Sequence, residues 1–97
     1  MEIRRYHNMT MDAALQLSDQ LLPGFIEKAG DNVSNIERQW DGNVLRFAFH
    51  IYGMNIKGTF LVTDDEIIIE SELPFMARPF EGRVRSAIEQ QIDILLS

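Results

Sequence analysis

Along the second half of the chain apolar and polar residues alternate, whereas two other stretches repeat their apolar residues every three or four positions. Ile3, Arg5 and His7, set against Arg4 and Tyr6, predict an opening strand. Thr10 then supplies an N-cap hydroxyl, and Asp12 puts a negative charge in the first helical turn, where it complements the dipole. From Met11 onward, Ala14, Leu15, Leu21, Leu22, Phe25, Ile26 and Ala29 fall at helical spacing. Pro23-Gly24 interrupts that run, since a proline inside a helix removes a backbone hydrogen bond and costs about 3 kcal/mol. At about 100° per residue the apolar residues on both sides of the proline still share one face. Pro23 and Gly24 turn toward the polar side. The pattern predicts one kinked helix, or two collinear pieces, ended by Gly30 and Asn32.

A series of four strands follows. Ile36, Arg38 and Trp40 lead into Asp41-Gly42, a two-residue hairpin turn in which both positions tolerate positive φ. Leu45, Phe47, Phe49 and Ile51 then line one face and Arg46, Ala48 and His50 the other. After Gly53, Met54, Ile56, Gly58, Phe60 and Val62 alternate with Asn55, Lys57, Thr59, Leu61 and Thr63. A tight turn at Asp64-Asp65 would set Val62 opposite Ile67, so that the apolar faces agree. Ile69 and Ser71 then point inward, and Glu66, Glu70 and Glu72 outward. Leu73 to Phe80 (LPFMARPF) is an apolar connection punctuated by proline, and Val84, Ala87, Ile88, Ile92 and Leu95 mark a final helix.

The element order, β-α-β-β-β-β-α, predicts an α+β two-layer sandwich: a mostly antiparallel sheet with both helices packed on one face. With no linker or repeat, the 97 residues form a single domain. The chain has no cysteine, which removes disulfides, a thiolate nucleophile and a cysteine zinc site from consideration. Fifteen acidic residues against nine Lys and Arg give a net charge of −6, a poor match to phosphate backbones or anionic headgroups. The longest apolar runs are too short to span a bilayer, and no signal segment is legible, so a cytoplasmic setting is expected.

Several pieces of the chain, in order, carry a resemblance. They are His7 with Ala13-Ala14 just inside the first helix, WDGNVLRF (Trp40 to Phe47), GTFLVTDDEIIIE (Gly58 to Glu70) and LPFMARPFEGRVRSAIEQQIDILL (Leu73 to Leu96). Together they resemble the polyhydroxyalkanoic acid system proteins, small bacterial proteins encoded beside genes for making and using polyhydroxyalkanoate storage polymer. The resemblance implies an accessory role in polymer storage, at the granule surface or with a granule-associated protein, and carries no catalytic residues across.

The residues themselves give no enzyme. His7 and His50, the two histidines, have no further ligands at tight spacing and are expected to be hydrogen-bonded or solvated. Ser18, Ser34, Ser71, Ser86 and Ser97 lack the glycine-flanked elbow of a hydrolase. Asp64-Asp65-Glu66 is a turn, and Glu70 with Glu72 a solvated strand face, so no metal or cofactor is expected. Arg78, Arg83 and Arg85, around the start of the last helix, form a candidate anion site, against which stands pairing with Glu81 or Glu89. Phe75, Met76 and Phe80 are expected to pack across the open edge of the core; left exposed, they would form an apolar contact for a polymer surface or a partner. The sheet face carrying Val44, Ala48, Tyr52 and Ile68 suits further contacts or homodimerisation. The leading expectation is a non-enzymatic binding protein. The alternative is a small lipid or acyl-chain carrier with an apolar cavity between helices and sheet, although bulky Trp40, Phe25, Phe47, Phe49 and Phe60 point to a filled core.

Overall fold

The computed structural model describes residues 1–96 except the side chain of Ala29; Ser97 lies outside the described residues, as does the expected place of Ala29 on the helical stripe. Strands β1 (Glu2–Tyr6), β2 (Val33–Asp41), β3 (Val44–Ile51), β4 (Met54–Val62) and β5 (Glu66–Glu72) form one sheet in the order β1-β5-β4-β3-β2. All neighbours are antiparallel. Helices α1 (Met11–Ala29) and α2 (Glu81–Leu96) pack together over one face. The four-strand meander follows from alternation plus tight turns. The first strand, brought back by α1, pairs with the last.

The register places the expected inward residues of β3, β4 and β5 on the helix side. Ile3 pairs with Ile69, Ile69 with Phe60, Phe60 with Leu45, and Leu45 with Trp40. Val62 lies opposite Ile67, and the Thr63 N–H donates to the Glu66 carbonyl at 2.8 Å, closing the Asp64-Asp65 turn. Leu45, Val62, Ile67, Ile69 and Ile92 are almost wholly buried. Each such side chain contributes about 1.5–3 kcal/mol of transfer free energy. Phe47 links the aromatic part of this core, with ring centroids 5.0 Å from Phe60 and 6.1 Å from Phe49, which in turn lies 5.8 Å from Phe25.

Phe47 needs its cross-strand neighbour to be glycine. A Cβ on Gly58 would lie 2.5 Å from the Phe47 Cζ and 2.5 Å from the Glu70 carbonyl oxygen. The ring therefore occupies the space where a side chain would stand.

Helix α1 begins at Thr10, whose Oγ1 accepts from the Ala13 N–H at 3.2 Å, and ends at Gly30, with φ 65°, whose N–H donates to the Ile26 carbonyl. It runs through Pro23 as one helix. Proline at 23 leaves the Asp19 carbonyl without its usual donor four residues on. Arg38 of β2 takes that place, its Nη2 3.4 Å from the carbonyl oxygen. The same guanidinium pairs with the Asp19 carboxylate, which also accepts from Trp40 Nε1 at 2.8 Å. Gly24, expected on the polar side, faces α2: a Cβ there would lie 2.5 Å from Gln91 Nε2. The Gln91 side chain therefore lies against the open side of Gly24.

The second strand starts three residues before Ile36, at Val33, because pairing with Ile51 continues past a bulge between Ser34 and Glu37. Asn35 takes positive φ there, and Ile36 is exposed rather than part of the inward face.

Two stability outcomes follow. Gly58→Ala is expected to lower the unfolding free energy by about 2 kcal/mol in urea titration, because the new methyl overpacks a filled sheet centre. Asp19→Ala is expected to cost about 1 kcal/mol, since it removes one acceptor shared by two donors at a partly exposed site. The emission of Trp40, the single tryptophan, should shift to the red in that variant.

Candidate functional site

The groups with the most reactive chemistry are occupied structurally. His7 is buried, its Nε2 2.8 Å from the Thr63 carbonyl and its Nδ1 3.2 Å from the Met9 N–H. Nδ1 accepts from the Met9 N–H, which leaves Nε2 to donate to the Thr63 carbonyl. The imidazole thus fastens the β1–α1 connection to the β4–β5 turn. His50 is exposed on the other face, with Nδ1 3.4 Å from Asn35 Nδ2. Ser71 is buried and donates to the Lys57 carbonyl at 2.8 Å. Ser18 is buried on α1 with no acidic or histidine partner for its hydroxyl among the described residues. Nor, among those residues, do three His, Asp or Glu side chains converge to hold a metal ion.

The three arginines do not form one cluster by helix geometry. Arg83 and Arg85 are two residues apart on α2 and so diverge by about 200° around its axis. Arg85 lies 3.8 Å from Glu89 in an i,i+4 pair. Glu81, the other expected partner, sits 4.0 Å from the Met1 amino group, which also donates to the Ser71 carbonyl at 2.8 Å.

Between helices and sheet the structure holds an apolar crevice of only about 30 Å³, walled by Leu21, Leu22, Phe25, Phe47, Phe49 and Phe60 among others. That is room for about one water molecule, far below the several hundred Å³ that a small ligand needs. The aromatic side chains fill the space an acyl-chain carrier would keep open.

The uncovered face of the sheet carries a shallow groove of about 870 Å³. Its lining includes Glu2, Glu37, Arg46, Lys57, Glu70 and Glu72, with Ala48 and Thr59 between them. These charges largely answer one another. Arg46 pairs with Asp41 at 3.2 Å, Arg4 with Glu2 at 3.2 Å and Glu66 at 3.6 Å, and Lys57 stands opposite Glu72 in register. Hydrogen bonding from Arg4, reinforced by its charge, holds the Glu2 carboxyl below the usual carboxylate range. The contact surface expected from Val44, Ala48, Tyr52 and Ile68 is not present as a unit. Ile68 is buried between its register neighbours Arg4 and Leu61, and Tyr52 belongs to the β3–β4 turn, not to the face.

Large apolar surface is exposed instead at one end of the molecule. The connection from β5 to α2 forms a short 3-10 turn, Phe75–Phe80, in which only Ala77 is buried. Phe75 is 83% exposed, Met76 75% and Phe80 51%, so the expected packing of these three across the core edge does not occur. Ala77 is small enough to take the inward position, and its N–H donates to the Pro74 carbonyl at 2.8 Å, which rolls the larger side chains outward. Arg78, also exposed, stands among them.

The same end carries a residue that the sequence reading placed elsewhere. Lys57 pairs with Glu72, so the start of β4 and the end of β5 coincide, and the Tyr52-Gly53 turn projects past that end of the sheet. Tyr52 is 72% exposed and has φ 51°, with φ 77° at Gly53. A left-handed backbone at a bulky residue costs about 1–2 kcal/mol relative to glycine. The signal in the sequence was the dipeptide Tyr52-Gly53, a two-residue turn whose first position requires positive φ.

Among the described residues, no helix is long and apolar enough to cross a membrane. Comparison with curated proteins and with solved structures found no match. A family model does match, over residues 1–96. The match takes in all the motifs from His7 to Leu96, and the chain belongs to the family described as putative polyhydroxyalkanoic acid system protein.

Proposed function

We propose that this chain is a non-enzymatic binding protein of the polyhydroxyalkanoate system, acting in the cytoplasm at the storage granule through the apolar turn between β5 and α2. The observation that carries this reading is the outward display of Phe75, Met76 and Phe80 from one six-residue turn. Folding gains nothing from leaving such side chains in water, and contiguous apolar surface of this kind marks a contact site. Family membership supplies the setting in which a contact would be made. The filled core favours surface binding over carriage of a ligand inside, and the structural employment of His7 and Ser71 favours binding over catalysis.

The test is localisation in cells accumulating the polymer. A tagged chain is expected to concentrate on granules, and Phe75→Ser/Met76→Ser/Phe80→Ser to spread through the cytoplasm. Because all three are exposed, the triple variant should keep its urea midpoint nearly unchanged. Diffuse signal from the unaltered chain, or granule signal retained by the triple variant, would defeat the reading.

A further inference from the structure

The Tyr52-Gly53 turn has no role in packing the core, yet it holds a large aromatic side chain in a conformation that suits glycine or asparagine. The chain uses asparagine at its other non-glycine left-handed position, Asn35, whose side chain lies 3.4 Å from His50. At Tyr52 the tyrosine makes no hydrogen bond among the described residues, and its ring stands in solvent at the end of the sheet that also bears Phe75, Met76 and Phe80. A bulky residue kept at a strained, exposed position is a sign of external contact.

Building on the granule reading above, we infer that Tyr52 and the Phe75–Phe80 turn form one docking tip, which sets the molecule end-on against the bare polyester surface of the granule. The register of β4 with β5 puts the two segments at the same end of the sheet. Their chemistry fits an uncharged aliphatic polyester. Such a polymer offers apolar chain and ester carbonyls, acceptors without donors. The tip offers Phe75, Met76 and Phe80 as apolar groups, with the Tyr52 hydroxyl and the Arg78 guanidinium as donors. An anionic lipid surface fits less well, because the chain as a whole carries −6. End-on docking also leaves the charged outer face of the sheet in water.

Sedimentation of the purified chain with uncoated polyhydroxybutyrate particles, and separately with phosphatidylglycerol vesicles, tests this. Binding to the particles should exceed binding to the vesicles. Tyr52→Asn is expected to weaken particle binding about tenfold, the worth of a buried aromatic ring, while its urea midpoint stays level or rises, because asparagine accepts positive φ. Tyr6→Asn is the control: Tyr6 is 78% exposed at the opposite end of the sheet, where β1 finishes beside Glu66, and its loss should leave binding unchanged. If Phe75→Ser/Met76→Ser/Phe80→Ser loses binding but Tyr52→Asn does not, the tip is wrong and the granule reading stands. Equal losses from Tyr52→Asn and Tyr6→Asn would show unoriented adsorption and remove the end-on geometry. Tighter binding to vesicles than to particles would overturn the polyester as occupant, and particles left bare by the unaltered chain would defeat the tip together with direct polymer contact.

Discussion

The contact between Phe47 and Gly58 sets the middle of the sheet. With no Cβ on Gly58, the Phe47 ring lies over the neighbouring strand and meets Phe60 and Phe49, and through Phe49 the Phe25 ring of α1. This aromatic layer brings the helices down onto the strands with almost no free volume. A layer packed that closely leaves little free volume, and polar groups buried in it gain from a bond. His7 and Ser71 are each satisfied by backbone groups, whereas the buried Ser18 hydroxyl has no hydrogen-bond partner among the described residues.

The same layer explains why α1 tolerates its proline. Burial of Leu21 and Leu22 before Pro23, with Phe25 packed against the core after it, holds both halves of the helix to one surface. The one carbonyl that Pro23 deprives of a donor belongs to Asp19, and β2 supplies a replacement through Arg38. This arrangement also ties down an edge strand. An edge nine residues long is an invitation to pair with another chain. Here the bulge after Ser34, the left-handed Asn35 and the charges of Glu37, Arg38 and Asp41 interrupt it.

The outer surface then divides into two chemically different regions. On the open face of the sheet, charges of both signs alternate between strands and pair with one another, which is how a solvated face is built. At the end where β3 turns into β4 and β5 leads to α2, the large side chains are apolar and turned outward.

Alternation and helical spacing were enough to determine the element order, the inward residues of β3, β4 and β5, the Asp64-Asp65 turn and the two-layer arrangement, because these depend on periods of about two and 3.6 residues written locally in the chain. Glycine and proline were harder to read. Gly58 is explained by the ring that lies over it, and Pro23 by an arginine nineteen residues from Asp19 in sequence. The fate of LPFMARPF was likewise decided in three dimensions. Its hydrophobicity said only that these side chains would favour leaving water. Which of them could do so depended on the narrow space between β5 and α2, which admitted Ala77 and left Phe75, Met76 and Phe80 outside. Strand register likewise decided that the Tyr52-Gly53 turn and the end of β5 share one end of the sheet, since no local pattern records how strands pair.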